Sequence, residues 1–244
     1  MANNDYMEFG FGTGDENLGG GKFERFKGKE GEFYRMSFVW WPKKDGKPDL
    51  DGSPKFCGAK RLYIPNVGYI LDKGPEFTKI AGGPSKPTIA TVICLWPVDR
   101  KGQLDKPRFA GGEVQVMPWV FSKDKYDNLA RRHDEFPFGQ YDLNVACTDS
   151  QFQKMDMTPA RESLLRKVLE NAKLSHIAKA IFEKVDQIVG ADEKTGEPVG
   201  LRDIVARNIS IEKVRDKHCH TGGASIAADT TAAVDDILDD LVES

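Results

Sequence analysis

The sequence contains no apolar run approaching the roughly 18 residues of a membrane span, no Cys-x-x-Cys pair, and only 4 histidines in 244 residues. The first absence argues against a spanning helix. The second removes the usual zinc-ribbon and disulfide frameworks, because Cys57, Cys94, Cys147 and Cys219 stand far apart. Reduced and largely buried thiols are the expectation for all four. The opening stretch "MANNDYMEFGFGTGDENLGGG" lacks a basic segment followed by an apolar one, so no secretory leader is expected and the compartment predicted is the cytoplasm.

Catalytic signatures are missing too. The runs "GFGTG" and "GGG" lack the lysine of a phosphate-binding loop, and no Gly-x-Ser-x-Gly elbow or His-Glu-x-x-His pair occurs. Asp49 and Asp51 sit in a Lys/Pro/Gly stretch that reads as a solvated turn, and His133 and His176 have no partner in sequence. His218, Cys219 and His220 are each competent for zinc, but no second ligand pair completes a site, and adjacent ligands in an extended segment point opposite ways. Neither a metal, a cofactor nor an enzymatic activity is expected.

Charge, by contrast, is abundant and unevenly placed. From Thr221 to Ser244 there are six acidic residues and no lysine or arginine, which leaves 35 basic against 32 acidic residues in positions 1–220. A body of formal charge +3 thus carries a detached anionic end. Such asymmetry points to a polyanionic partner or an interaction tail. Within the tail, Val234, Ile237, Leu238, Leu241 and Val242 fall at i, i+3, i+4, i+7 and i+8, one helical stripe, with Asp235, Asp236, Asp239, Asp240 and Glu243 on the other side. An arm of this form can lie over the protein's own basic surface or dock on a partner through its stripe. A last helix packed on the body is the plainer alternative.

Residues 1–21 form a glycine-rich arm. From 22 to about 157 the pattern is β-like: "EFYRMSFVWW" alternates, and "KRLYIP", "VGYIL", "PTIATVICLWPV", "EVQVMPWVF", "YDLNVACT" and "FQKMDM" are further strand candidates. Turn-rich inserts such as "PKKDGKPDLDGSPK" and "KGPEFTKIAGGPSKP" separate them, predicting a small barrel or sandwich with elaborated loops. Thr158 and Pro159 then read as a helix start, with helical spacing to Val189 interrupted near 173–175, and "LRDIVARNISIEKVRDK" reads as one more short helix and a closing strand. The organisation expected is an arm (1–21), a body (22–220) with a helical subregion (158–206), and the acidic tail (221–244).

The body's remaining signal is basic residues interleaved with aromatic ones, as in "KFERFKGKEGEFYR", "VWWPKK", "KRLY", "LWPVDRK", "KPRF" and "ARRHDEF". Single-stranded nucleic acid is bound by this mixture: cations follow the phosphates and base faces stack on aromatic rings. The stacking candidates are Tyr34, Phe38, Trp40, Trp41, Tyr63, Trp96 and Trp119. The phosphate candidates are Arg25, Lys27, Lys29, Arg35, Lys43, Lys44, Lys60, Arg61, Arg100, Lys101, Arg131 and Arg132. Aromatics in alternating strands are also core residues, so some of these are expected to be buried. A protein-binding module acting through its tail, such as a transcription or host-takeover factor, is the rival reading.

A β-rich body with basic-aromatic strands, a glycine-rich arm and an acidic tail resembles the replicative single-stranded DNA-binding proteins of tailed bacteriophages. "YDLNVACTDSQFQKMDMTPA" is similar to the closing part of the barrel in that family. The resemblance implies a mainly β, α+β body: an oligonucleotide/oligosaccharide-binding (OB) five-stranded β-barrel with elaborated loops and C-terminal helices. It implies coating of single-stranded DNA in replication, recombination and repair, and a tail (Asp235, Asp236, Ile237, Leu238, Asp239, Asp240, Leu241) that recruits polymerase, helicase or nuclease. The helical segment would cap the barrel or support a homo-oligomer or cooperative array. Two departures stand out: the zinc-ribbon spacing of some relatives is absent, and the tail ends in Ser244 rather than an aromatic residue.

Overall fold

The computed structural model describes residues 23–39, 50, 55–148, 154–190, 192, 194 and 198–219. The N-terminal arm, Trp40, Trp41, Lys43, Lys44, the side chain of Cys219, His220 and the acidic tail lie outside the described residues.

Seven strands form one antiparallel sheet: β1 (Phe33–Phe38), β2 (Cys57–Ile64), β3 (Gly68–Leu71), β4 (Lys86–Trp96), β5 (Gln115–Ser122), β6 (Leu143–Cys147) and β7 (Met155–Pro159). Each contains or overlaps one of the stretches whose alternation or β-branched content predicts a strand. The long strand β4 organises the rest. Along one edge it pairs β2 through Lys86–Ala90 and β1 through Ile93–Trp96, end to end, while β5 pairs along its other edge from Thr88 to Leu95. Outward from β1 come β6 and then β7, and outward from β2 comes β3.

The fold is therefore α+β, but the five-stranded closed barrel expected from the sequence is not what forms. The sheet has seven strands and is not closed into a barrel. The nearest approach to closure among the described residues is one backbone bond, from Phe26 N–H to the Pro118 carbonyl of β5 (2.9 Å). Two features keep it open: β4 spends one edge on two different strands, and the outermost strand β7 ends in Pro159, which has no N–H to extend a ladder.

The helices are α1 (Pro75–Ala81), α2 (Lys106–Ala110), α3 (Lys123–Glu135), α4 (Leu164–Glu170), α5 (Ser175–Val189), α6 (Val199–Val205) and α7 (Ile211–Cys219), with a 3-10 turn at Ala172–Leu174 where a break was expected. Thr158 and Pro159 do not start a helix. They pair with Asn144 and Leu143 in β7, and the helix begins at Leu164 behind Ser163, whose hydroxyl accepts the Arg166 N–H. The stretch after residue 200 likewise gives two helices, and the extended piece between them makes a parallel bridge from Arg207 to Ile70 of β3. Helix α3 arises in a stretch with no apolar stripe: of its residues only Leu129 is buried. Its start is fixed by Ser122, which accepts the Lys125 N–H, and the macrodipole is matched by Asp124 in the first turn and Arg132 in the last. No helix among the described residues is long and apolar enough to cross a membrane.

Two hydrophobic clusters result. The larger fills both faces of β4 and includes an aromatic group in which Phe38 stacks on Phe138 (centroids 4.6 Å apart) and Phe26 meets Trp119 edge-on (5.7 Å). Such pairs add about 0.5–1.5 kcal/mol each beyond the area they bury. The smaller cluster joins the β2–β3 hairpin (Leu62, Ile64, Val67, Ile70) to Phe77 of α1 and to Ile209 and Val214 near the C-terminal helix.

Inside the larger cluster lies one polar network. Asp142 is buried, yet it accepts from the Ser37 hydroxyl on one oxygen and from Arg35 Nε (3.0 Å) and the Leu164 N–H (3.0 Å) on the other. Trp96 Nε1 donates to Ser37 Oγ (2.7 Å), and Arg35 Nη2 donates to the Glu162 carbonyl (3.0 Å). Burial pushes the Asp142 pKa up, against Ser37, Arg35 and the Leu164 amide, all of which favour the carboxylate. Removing one member of such a pair strands the other charge away from water. Asp142→Ala should therefore cost about 3–5 kcal/mol of stability, read as a fall in the urea midpoint. A midpoint within error of the parent would show that Arg35 finds adequate solvation without it.

Candidate nucleic-acid interface

The candidate residues separate cleanly once burial is known. Phe38 (0% exposed), Trp96 (3%) and Trp119 (2%) belong to the core, so no base can reach their faces. This corrects the stacking role expected of them: β4 is covered on both sides from Thr88 to Trp96, and Phe38 and Trp119 pack beside it, so alternation along the strand no longer marks an outer face. Tyr34 is half-buried; its hydroxyl donates to Glu32 Oε2 (2.6 Å) and accepts from Lys29 N–H (3.0 Å), and burial raises its pKa. Arg35 is corrected as well. Its side chain is 12% exposed and is committed to Asp142, so it is a structural cation rather than a phosphate contact.

The other candidates lie at the surface but apart. Lys27 and Lys29 are exposed on the lead-in to β1, with Arg25 partly covered. Arg100 and Lys101 are exposed on a tight turn after β4. Arg131 and Arg132 sit on the last turns of α3.

Among the stacking candidates described, Tyr63 on the β2–β3 hairpin is the one whose exposed ring shares a surface with basic groups. A three-residue turn, Pro65–Val67, connects the strands, and it is formed by Asn66 (φ 63°) and Gly68 (φ 84°) in left-handed conformations. The register sets Tyr63 opposite Tyr69 and Arg61 opposite Leu71, while Leu62 and Ile70 point the other way into the small core. Burial of one face thereby forces Arg61, Tyr63 and Tyr69 onto the other. The Arg61 guanidinium lies over the Tyr69 ring at 3.8 Å, and the two tyrosine rings are 5.2 Å apart. Tyr63 remains 48% exposed, the most of any large apolar or aromatic residue described. On the adjoining strand Lys86 pairs directly with Arg61, so it shares this face, and Lys60 is exposed on the opposite face of β2.

Behind the hairpin, Arg207 exchanges backbone bonds with β3: its N–H donates to the Tyr69 carbonyl (3.2 Å) and its carbonyl accepts the Leu71 N–H (3.0 Å). Its guanidinium passes within 3.0 Å of where a Cβ on Gly68 would stand. Lys73 Nζ donates to the Ile209 carbonyl (3.1 Å), and Arg215 of α7 meets Glu76 of α1 (3.3 Å). The platform is thus clamped from its rear. Tyr69 and Lys86 were missed in the sequence because their relation to Tyr63 and Arg61 is one of cross-strand register. The turn "PNVG" was the available signal.

No cluster of three or more His, Cys, Asp or Glu side chains among the described residues is placed to hold a metal ion. His218 is exposed on α7. Cys57, Cys94 and Cys147 are buried and form no disulfide among the described residues, and burial pushes the Cys57 thiol up to about 12. Compared with known proteins, the chain matches no protein-family model, and no curated protein matches it significantly.

The α3 end carries a titratable group of its own. His133 Nδ1 accepts the Phe138 N–H (3.1 Å), and its ring meets Phe138 edge-on at 5.0 Å. Partial burial lowers its pKa below the ordinary 6.5, with Asp134 opposing. A depressed histidine pKa means the folded state prefers the neutral ring. Its contribution is then complete above pH 6.5 and is lost as pH falls below that value. The stability advantage of the parent over His133→Gln should accordingly shrink between pH 6.5 and 5 in chemical denaturation. An advantage that is constant over this window would contradict the assignment.

Proposed function

We propose that the protein binds single-stranded DNA without sequence preference, through the Arg61–Tyr63–Tyr69–Lys86 face of the β2–β3 hairpin. The observation that carries this reading is Tyr63: an aromatic ring half exposed beside a second ring and two cations, on a hairpin whose opposite face is locked into a core. An exposed aromatic face of this kind can stack a base, which is worth roughly 1–3 kcal/mol per base. Phosphates would be held by Lys86 and Arg61 on this face through counterion release, which is indifferent to sequence.

The wider reading takes the body as an OB-like frame, as the resemblance to phage single-stranded DNA-binding proteins implies. Support comes from the lead-in to β1, which bonds β5 through Phe26 while β1 itself pairs with β4, so the three strands approach a partly open barrel. In this reading the acidic tail competes with DNA for the basic surface and recruits a polymerase, helicase or nuclease, and the protein acts in replication, recombination and repair.

The test is binding of fluorescein-labelled oligo-dT across a salt series, with the full chain and with a chain ending at His220. Parent protein should bind with an affinity that falls steeply with salt. Tyr63→Ala should weaken it about 5- to 100-fold, Tyr63→Phe should restore it, and Lys86→Ala should flatten the salt slope while Lys60→Ala, on the other face of β2, should change it less. Stronger binding by the shorter chain would support self-competition by the tail. Parent protein that does not bind oligo-dT, or a Tyr63→Ala protein that binds as well, would overturn the proposal and favour a protein-binding role.

A further inference from the structure

We infer that the opposite end of β4 carries a second contact for the same strand of nucleic acid, formed by Phe33, Arg100 and Lys101. The inference rests on the single-stranded DNA reading of the hairpin and extends it to the length of strand engaged.

The register supplies the geometry. Arg35 pairs with Trp96, so Phe33 stands two residues past the end of β4. Arg61 pairs with Lys86, so Tyr63 stands two residues past its start. At about 3.4 Å per residue the two rings are roughly 45 Å apart along the strand direction. Phe33, Arg35 and Trp96 share the sheet face that bears Lys86, Arg61 and Tyr63, because direct partners and alternate residues point the same way. The helices and the Asp142 network cover the middle of that face, leaving the two ends open.

The Phe33 end is built, not incidental. The ring is 43% exposed and meets no other aromatic ring among the described residues. It rests on Gly102, where a Cβ would stand 3.1 Å from Phe33 Cγ and where φ is +75°, so the position is closed to other residues on two counts. Gly102 is held in a turn organised by Asp99. The Asp99 carboxylate accepts the N–H groups of Lys101 (2.8 Å) and Gln103 (2.9 Å), and its own N–H donates to the Gln103 carbonyl (2.8 Å). Between these anchors the turn presents Arg100 and Lys101, both exposed and neither in an ion pair among the described residues. The nearby Glu32 accepts from Tyr34, which alternation places on the other face of β1. An exposed ring with two cations on a fixed turn repeats the chemistry of the hairpin: one stacked base and two phosphates.

Two weak contacts joined by one strand reinforce each other only when the strand spans both. The signature is therefore a dependence on length. Full-chain protein is titrated with labelled oligo-dT from about 4 to about 16 nucleotides, the range of footprints for one domain of this kind. Parent protein should gain affinity steeply across that range. Phe33→Ala should bind the shortest oligomers nearly as the parent does and lose about 5- to 100-fold on the longest. Phe33→Tyr should restore the gain and Phe33→Leu, which keeps the contact with Gly102 but not the aromatic face, should not. Arg100→Ala with Lys101→Ala should reduce the slope of log K against log salt by about 1.4 on the longest oligomer, at 0.7 per phosphate, and leave it unchanged on the shortest. If both variants keep the parent's length dependence and salt slope while Tyr63→Ala still weakens binding, the second contact is refuted and the hairpin site stands. If parent protein fails to bind at any length, both fall.

Discussion

Every described strand is registered on β4, either directly or through neighbouring strands. From Thr88 to Trp96 it is buried on both faces, and it is the only described strand with three partners. A strand so placed can be almost wholly apolar, as "PTIATVICLW" is, because neither face meets water. Its length also dictates the layout: at 11 residues it accommodates β2 and β1 one after the other along one edge. The free ends of those two strands overshoot β4 in opposite directions. Whatever is exposed on the sheet is thereby driven to its extremities.

That constraint explains why few of the described aromatic rings are exposed. Phe26, Phe38, Trp96, Trp119, Phe121 and Phe138 are consumed in wrapping β4 and its neighbours. The buried Asp142 network belongs to the same packing problem, since Trp96 brings an N–H and Arg35 a charge into a region without water, and Ser37 and Asp142 satisfy them. Rings outside this region are held by local devices instead: a hairpin with a dry back, or a glycine under an aromatic face.

Much of the fold was legible from period and turn residues. All seven strands coincide with stretches that alternate or run apolar, and the interruption near 173–175 is the 3-10 turn. The failures have particular causes. Thr158 and Pro159 satisfy the rules for a helix start, but they are claimed first by the ladder with β6, a long-range pairing that no local pattern reveals. Helix α3 was not foreseen, because it buries only Leu129 and so has no apolar stripe for the periodicity to reveal. The candidate site divided for a similar reason. Tyr63 and Lys60 lie exposed and Arg61 partly so beside a hairpin turn, whereas Trp96 and Trp119 were misread because strand β4, covered twice, has no outer face to predict. Sheet closure, too, depends on how one strand divides its edges, which composition does not encode.

The small core behind the hairpin joins parts of the chain made at very different times. Leu62, Ile64 and Ile70 pack on Ile209 and Val214, and the bridge from Arg207 completes the edge of β3. During synthesis the hairpin leaves the ribosome long before the residues that seal it. It must wait, with an apolar side and an unpaired edge, while well over a hundred further residues are added. At roughly 5–20 residues per second that interval is about 7–28 s. In the cell the nascent chain therefore has a window of exposure that the finished protein lacks, and the last of the described helices, α7, is among the elements that close it.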